Sequence, residues 1–510
     1  MASPARNGDG RRGPPPVRSA TRHPTEYGSG LPFALLSPDR VLPAGINLRL
    51  HRPVQRPLPP VLVTALLMAL GSGCKHAPYN VSRPSAPPGA GYYFQSLVAD
   101  RVNHDKTLFL VAFSGGGTRA ASMAYGVLEE LRATPLDGTD QPRRMIDEID
   151  VISSVSGGSF TAAAYALYGD DLFGQFETNF LKRDVQGKLV GKTFSPWNWP
   201  GLLSPWYGRS DIAAEYYDRI LFHGATYGDL IRKGGPFVVV NATELGTGFQ
   251  FAFTQNVFDN LCSDLSGYPL SRAVAASSAV PVALSPITLK NYAGTCELEL
   301  PSWTLNQDGA QDDADLNQLA LSSRPREWAA LRDRAKLPYL HLVDGGVADN
   351  LGLRPLMDGL AILEGIPHSR EGLKFDAIER VVLVAVNARS SPENDWDKRE
   401  SPPGMLTLAI AAPAITMERY SRDTVNLMQA MVRQWETKLG KTGSGRIRFY
   451  PIVLSFDDLP DADERRYFMN VPTSFFLTDE AVDRLRDVGG RLLRDSPQFQ
   501  ALVQDLNGHR

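Results

Sequence analysis

Residues 108–124 read LFLVAFSGGGTRAASMA, and the fold follows from how this stretch is parsed. Leu108 to Phe113 is an uncharged apolar run, the pattern of a strand buried on both faces of a parallel sheet. It breaks at Ser114 into Gly115, Gly116 and Gly117. Ala120, Met123, Ala124, Val127, Leu128 and Leu131 then recur at helical spacing. Strand, glycine turn and helix start together aim unpaired backbone N–H groups at one point, where an anion or a developing oxyanion is stabilised.

Three readings of this loop compete. A tight turn that needs glycine backbone angles requires no ligand. A dinucleotide site fits the G-x-G-x-x-A spacing of Gly115 to Ala120, but it wants an acidic residue closing the next strand. That strand ends in serines, and Asp137 sits in a polar loop before it. A Walker loop is excluded because no Gly-Lys-Ser/Thr follows. The third reading, an oxyanion hole, stands only if a nucleophile exists.

Such a nucleophile lies one βα unit on. Ile149 to Val155 reads as a strand and Thr161 to Tyr168 as a helix, with SVSGGS at 154–159 between them. A serine in a sharp strand-to-helix turn needs small neighbours two residues to either side, here Ser154 and Gly158, which singles out Ser156. An ordinary serine-capped helix is the competing explanation. Far downstream, the short apolar run Tyr339 to Val343 ends in Asp344-Gly345-Gly346. Loops at the carboxyl ends of strands in an open α/β sheet share one crevice, so the glycine loop, Ser156 and Asp344 are expected to converge.

The segments SGGGTRA (114–120), SVSGGS (154–159) and DGGVADN (344–350) resemble the patatin-like phospholipases. The Arg-Ala ending of the first is also similar to the cytosolic group IV phospholipases, and AASSAVP (275–281) resembles the small-residue segment preceding the family's aspartate. The likeness covers roughly Lys106 to Val386. It implies an α/β protein with a patatin-like three-layer fold: a mostly parallel central sheet, insertions, and a helical C-terminal extension. It implies a lipid acyl hydrolase of phospholipase A or lysophospholipase type, with Ser156 as nucleophile, Asp344 as base and the amides of Gly115, Gly116 and Gly117 around the oxyanion. Arg119 occupies the family's arginine position, where it would order the loop or meet a lipid phosphate. Ser154, with Gly158 the flank of the nucleophile, departs from the family pattern. The alternatives are a general carboxylesterase or thioesterase, and a lipid-binding scaffold without turnover.

A histidine base fits the sequence poorly. Only His368, in an Ile-Pro-His-Ser loop, and His509, in a polar tail, follow Asp344, and His341 points to the other face of its strand. His104 and His223 precede or interrupt the core.

The remaining chain frames this domain. The 53 Lys+Arg against 56 Asp+Glu give a formal charge of -3 and no sign of a nucleic-acid partner. Residues 1–57 read as a disordered leader, rich in Pro, Arg and Gly. Residues 58–74 combine preceding arginines, the apolar run Val61 to Leu70 and a small-residue stretch ending at Cys74. That is the pattern of an export signal and resembles a lipoprotein signal with Cys74 as the lipidated residue; an uncleaved apolar leader is the alternative. Residues 75–105 are expected as a tether, 106–390 as the catalytic domain with insertions near 185–210 and 297–335, and 391–510 as an extension packed on the core. The protein is expected to be exported and membrane-anchored or periplasmic. Its expected partners are a lipid or phospholipid ester and a membrane surface, with no protein partner. With Cys74 lipidated, Cys262 and Cys296 form an even pair suited to one disulfide, the alternative being two buried free thiols. No cofactor is expected, and no metal, because no Cys/His cluster has ligand spacing. The insertion carrying Trp197, Trp199, Trp206 and Tyr207 is either packed on the core or an interfacial lid.

Overall fold

The uncharged run is a doubly buried strand: β1 (Thr107–Phe113) is buried at all seven positions. The computed structural model describes residues 79–85, 91–136, 143–204, 207–297, 324–365, 378–391, 396–439 and 447–508. The leader 1–57, the segment 58–74 with Cys74, Trp206, His368, His509 and residues 298–323 lie outside the described residues.

After β1 come α1 (Gly117–Ala133), β2 (Val151–Val155) and α2 (Gly157–Tyr168). The first insertion supplies α3 (Val185–Thr193) and α4 (Arg209–Tyr217), and β3 (Phe237–Glu244), β4 (Gln250–Ala252) and α5 (Leu270–Ser277) follow. Then come β5 (Ile287–Lys290), β6 (Tyr339–Asp344), α6 (Arg354–Gly365), β7 (Arg380–Asn387) and α7 (Met405–Leu439). The chain closes with β8 (Arg448–Ser455), α8 (Asp479–Asp495) and α9 (Pro497–Gly508).

One eight-stranded sheet runs β8-β7-β1-β2-β3-β6-β5, with β4 beside β3. Its first five strands are mutually parallel. The central strands β1, β2, β3 and β7 are buried throughout, as a sheet covered on both faces requires. Helices α1 and α2 cover the Phe113 face, and α8 lies outside α1, tied to it by Arg486 on Glu129 and Arg494 on Glu130. The helix Phe94–Asp105 and α6 cover the Leu108 and Leu110 face. This is the expected three-layer α/β architecture.

The strand carrying Asp344 corrects one expectation. β6 runs antiparallel to both β3 and β5, so its carboxyl end is not one of a parallel set. Asp344 still reaches the crevice because β6 overlaps only the far end of β3, with Asp344 opposite Ala242. Val155 pairs with Asn241, the neighbour of Ala242. The register brings the two turns together where strand direction does not.

Part of the stretch expected as a tether is bound to the domain. Val81–Ser82 pair with Ser263–Asp264, and the buried Asn80 side chain donates to Ser263 Oγ and the Lys290 carbonyl. The 185–210 insertion, read as a loop, contains α3 and two short helical turns. Cys262 and Cys296 are joined in a disulfide. Among the described residues no helix is long and apolar enough to cross a membrane.

Candidate active site

Ser156 sits at φ 49° and ψ −118°, a left-handed conformation forced by turning at once from β2 into α2. The strain persists because the surroundings dictate it. A Cβ at Gly158 would stand 2.7 Å from that of Phe113, and one at Gly157 would stand 2.0 Å from the Gly117 carbonyl. Only glycines let α2 lie this close to β1 and the glycine loop. Ser154 is buried, its hydroxyl donating to the Val239 carbonyl, so it satisfies the small-neighbour requirement from inside the sheet.

Ser156 Oγ donates to Asp344 Oδ2 at 2.9 Å. Asp344 Oδ1 accepts the Gly346 N–H at 2.8 Å, which fixes the carboxylate plane. The rest of the turn is held as well: the Asp344 N–H donates to the Ala279 carbonyl, and Thr243 Oγ1 donates to the Asp344 carbonyl. Burial pushes the Asp344 carboxyl up to about 6, partly opposed by its bonds from Gly346 and Ser156. Of the described histidines, His341 is exposed on β6 and shares a hydrogen bond with Thr288, away from this pair.

The glycine loop lies directly against the nucleophile, since a Cβ at Gly115 would come within 3.3 Å of the Ser156 Cβ. Its amides are not equivalent. Gly115 N–H donates to the Asn350 carbonyl and Thr118 N–H to the Ser474 carbonyl. Among the described backbone bonds, the amides of Gly116 and Gly117 meet no acceptor. Both residues have positive φ, 142° and 61°, which turns these N–H groups out of the strand direction. Arg119 is buried beneath the loop and spends its guanidinium on order. It donates to the carbonyls of Ala388 and Val471 and to Thr473 Oγ1. Burial without a carboxylate beside it pushes this guanidinium down to about 10.

Three supports went unread in the sequence. Ser277 Oγ accepts the Ser156 N–H at 2.9 Å and donates to the Asn241 carbonyl at 2.6 Å. Asn241 Nδ2 in turn donates to Ser153 Oγ and the Ser154 carbonyl. Ser277 lies in the quoted AASSAVP segment, so small-residue spacing pointed near it. Nothing local marks Ser474, which arrives from the C-terminal extension.

The insertion is tied on both sides to segments that flank the pair. Gln186 at the start of α3 bonds to Ser474 and Phe475. Ser210 at the start of α4 bonds to Ser285, a few residues beyond Ala279. Between these anchors Trp197 is 91% and Trp199 54% exposed, which rules out the core reading for both. Val282 (59%), Val347 and Phe476 are exposed on the neighbouring turns. Among the described residues no His/Cys/Asp/Glu group could hold a metal ion.

Residues 111–357 match the family model described as patatin-like phospholipase. Among curated proteins none matches the chain. Among solved structures, human GIVD cytosolic phospholipase A2 is similar at a TM-score of 0.40 and 13% identity, over 85% of this chain and 69% of that one. The same human enzyme in complex with methyl gamma-linolenyl fluorophosphonate is similar at a TM-score of 0.39 and 14% identity, over the same shares.

Proposed function

We propose, from the match of residues 111–357 to the patatin-like phospholipase model, that the protein hydrolyses acyl esters of lipids through a Ser156–Asp344 dyad and an acyl-serine intermediate. The observation that carries this reading is the 2.9 Å bond from Ser156 Oγ to a buried carboxylate, beside two unused amides. Ser156 Oγ attacks the ester carbonyl while Asp344 takes its proton. The carbonyl oxygen becomes an oxyanion and accepts from the Gly116 and Gly117 N–H groups. Asp344 then gives its proton to the departing alcohol, leaving an acyl group on Ser156. A water deprotonated by Asp344 attacks that acyl carbonyl, releasing a fatty acid and restoring both groups.

The membrane surface is part of the same proposal. Trp197, Trp199, Val282, Val347 and Phe476 are exposed apolar side chains on segments tied to the turns around the pair, the kind of surface that meets a lipid aggregate. We place the protein outside the cytoplasm, anchored through an acylated Cys74. The Cys262–Cys296 disulfide supports an oxidising compartment.

A fluorophosphonate probe should label Ser156, and lipid products resolved by mass spectrometry should show a free fatty acid leaving a glycerolipid. Absence of labelling in a folded protein leaves a non-catalytic lipid binder. Labelling with turnover only of short soluble esters leaves a general carboxylesterase.

A further inference from the structure

On the face of the sheet opposite α2 lies a cavity of about 510 Å³, within the range of about 300–1,000 Å³ usual for small-molecule sites. Leu108 and Leu110 of β1, Val151 of β2, Val239 of β3 and Leu360 of α6 form its walls. These strand residues come from the amino-terminal halves, whereas Ser156 and Asp344 follow carboxyl ends, and neither lines this space. The cavity is therefore not the entrance to the dyad.

Its polar groups are few. Arg324 donates to Glu327 at 3.1 Å, to Gln250 Oε1 at 3.3 Å and to Asp358 Oδ2. The other Asp358 oxygen, Oδ1, is buried with no hydrogen-bond partner. Two carboxylates thus oppose the single cation among the lining residues, and one acceptor has no donor. An anionic head is disfavoured there, while a hydroxyl supplies the missing proton. Gln250 Nε2 continues to Asn241 Oδ1 at 3.2 Å. From Asn241 the chain passes through Ser277 to the Ser156 amide, so the polar end faces the nucleophile's supports.

We propose that this cavity is a second lipid site, distinct from the dyad, which takes the acyl chain of a neutral single-chain glycerolipid with its hydroxyls at Asp358 and Gln250. A Cβ added at Gly359, which lines the cavity, meets no atom within 4 Å. Gly359→Phe therefore puts a ring into empty space, on a helix that gains from losing a glycine.

Binding is measured by calorimetry on full-length Ser156→Ala protein, with 1-decanoylglycerol and decanoate as probes, so no hydrolysis is needed. The expected result is binding of 1-decanoylglycerol that Gly359→Phe weakens by at least about tenfold, or about 1.4 kcal/mol, with an unchanged melting temperature. If Gly359→Phe lowers the melting temperature, Val257→Trp at a half-buried lining position takes its place. No binding, or binding untouched by filling the cavity, overturns the site. Equal or tighter binding of decanoate overturns the neutral head. Failure of Ser156 to label with a fluorophosphonate bears on hydrolysis alone and leaves this result standing.

Discussion

Asp344 is a carboxylate kept from water, with one backbone N–H and one hydroxyl donating to it. Its pKa near 6 makes it a usable base at neutral pH. The kcat/KM of the hydrolysis should rise as pH passes through about 6 and flatten above it. A profile flat from pH 5 to 8 removes Asp344 from the base role. The same shift has a cost in stability. The folded state holds this proton more tightly than the unfolded chain, so the contribution is fully present below the unfolded pKa of 3.8 and is lost as pH rises through about 6. Asp344→Asn should therefore be nearly inactive yet more stable than the parent at pH 8, by on the order of 2–3 kcal/mol, with the gap closing toward pH 4. Denaturant melts at the two pH values check the sign. Ser156→Ala should also lose nearly all activity, roughly 10⁴-fold or more, and the double variant should be little worse. Arg119→Lys tests the loop's anchor. An ammonium cannot reproduce the fork that meets the Ala388 and Val471 carbonyls and Thr473 Oγ1, so at least one of these acceptors is left unmet, at about 1–3 kcal/mol in a denaturant melt. Ser156 was marked in the sequence by its small neighbours, and Asp344 by its place at the end of an apolar run and by the resemblance. The split among the loop amides was not, since it depends on carbonyls from Asn350 and Ser474 that no local pattern locates.

The aromatic insertion was legible as an interruption but not as an orientation. Prolines and tryptophans at 196–207 marked a break in the βα rhythm, while burial or exposure of those rings is decided by the anchors at Gln186 and Ser210. Trp197→Ala with Trp199→Ala should leave the melting temperature within about 1 °C, because exposed rings contribute little to packing. Activity on phospholipid vesicles should fall at least about tenfold while hydrolysis of a short soluble ester is retained. Equal loss on both substrates removes these side chains from membrane contact. The direction of β6 was likewise out of reach. A short buried apolar run is the same from either end, and only pairing with Glu244 and Lys290 shows that it runs back.

At the scale of the whole molecule, the buried strand before the glycine turn pointed to a parallel sheet covered on both faces, and the resemblance supplied the three-layer class. Long-range closures were not readable. The disulfide joins residues 34 apart, and closing a loop of that size is worth roughly 3–4 kcal/mol. Reduction should lower the melting temperature, and peptide mapping without reductant should recover the linked pair. Free alkylation of both thiols in the natively folded protein would falsify the linkage. Intact mass of protein from a bacterial host should begin at Cys74 with acyl chains attached, and a soluble species keeping residues 1–73 counts against the anchor.

The Ser474 carbonyl on the Thr118 amide and Thr473 on Arg119, 354 residues away, also bear on biosynthesis. A ribosome delivers the amino end first, so the strands and the Ser156 turn leave it long before the segment that fastens the glycine loop. Until Thr473 and Ser474 dock, the Thr118 amide and the Arg119 guanidinium lack these partners, so the loop's native geometry cannot be completed before residue 474 has been made.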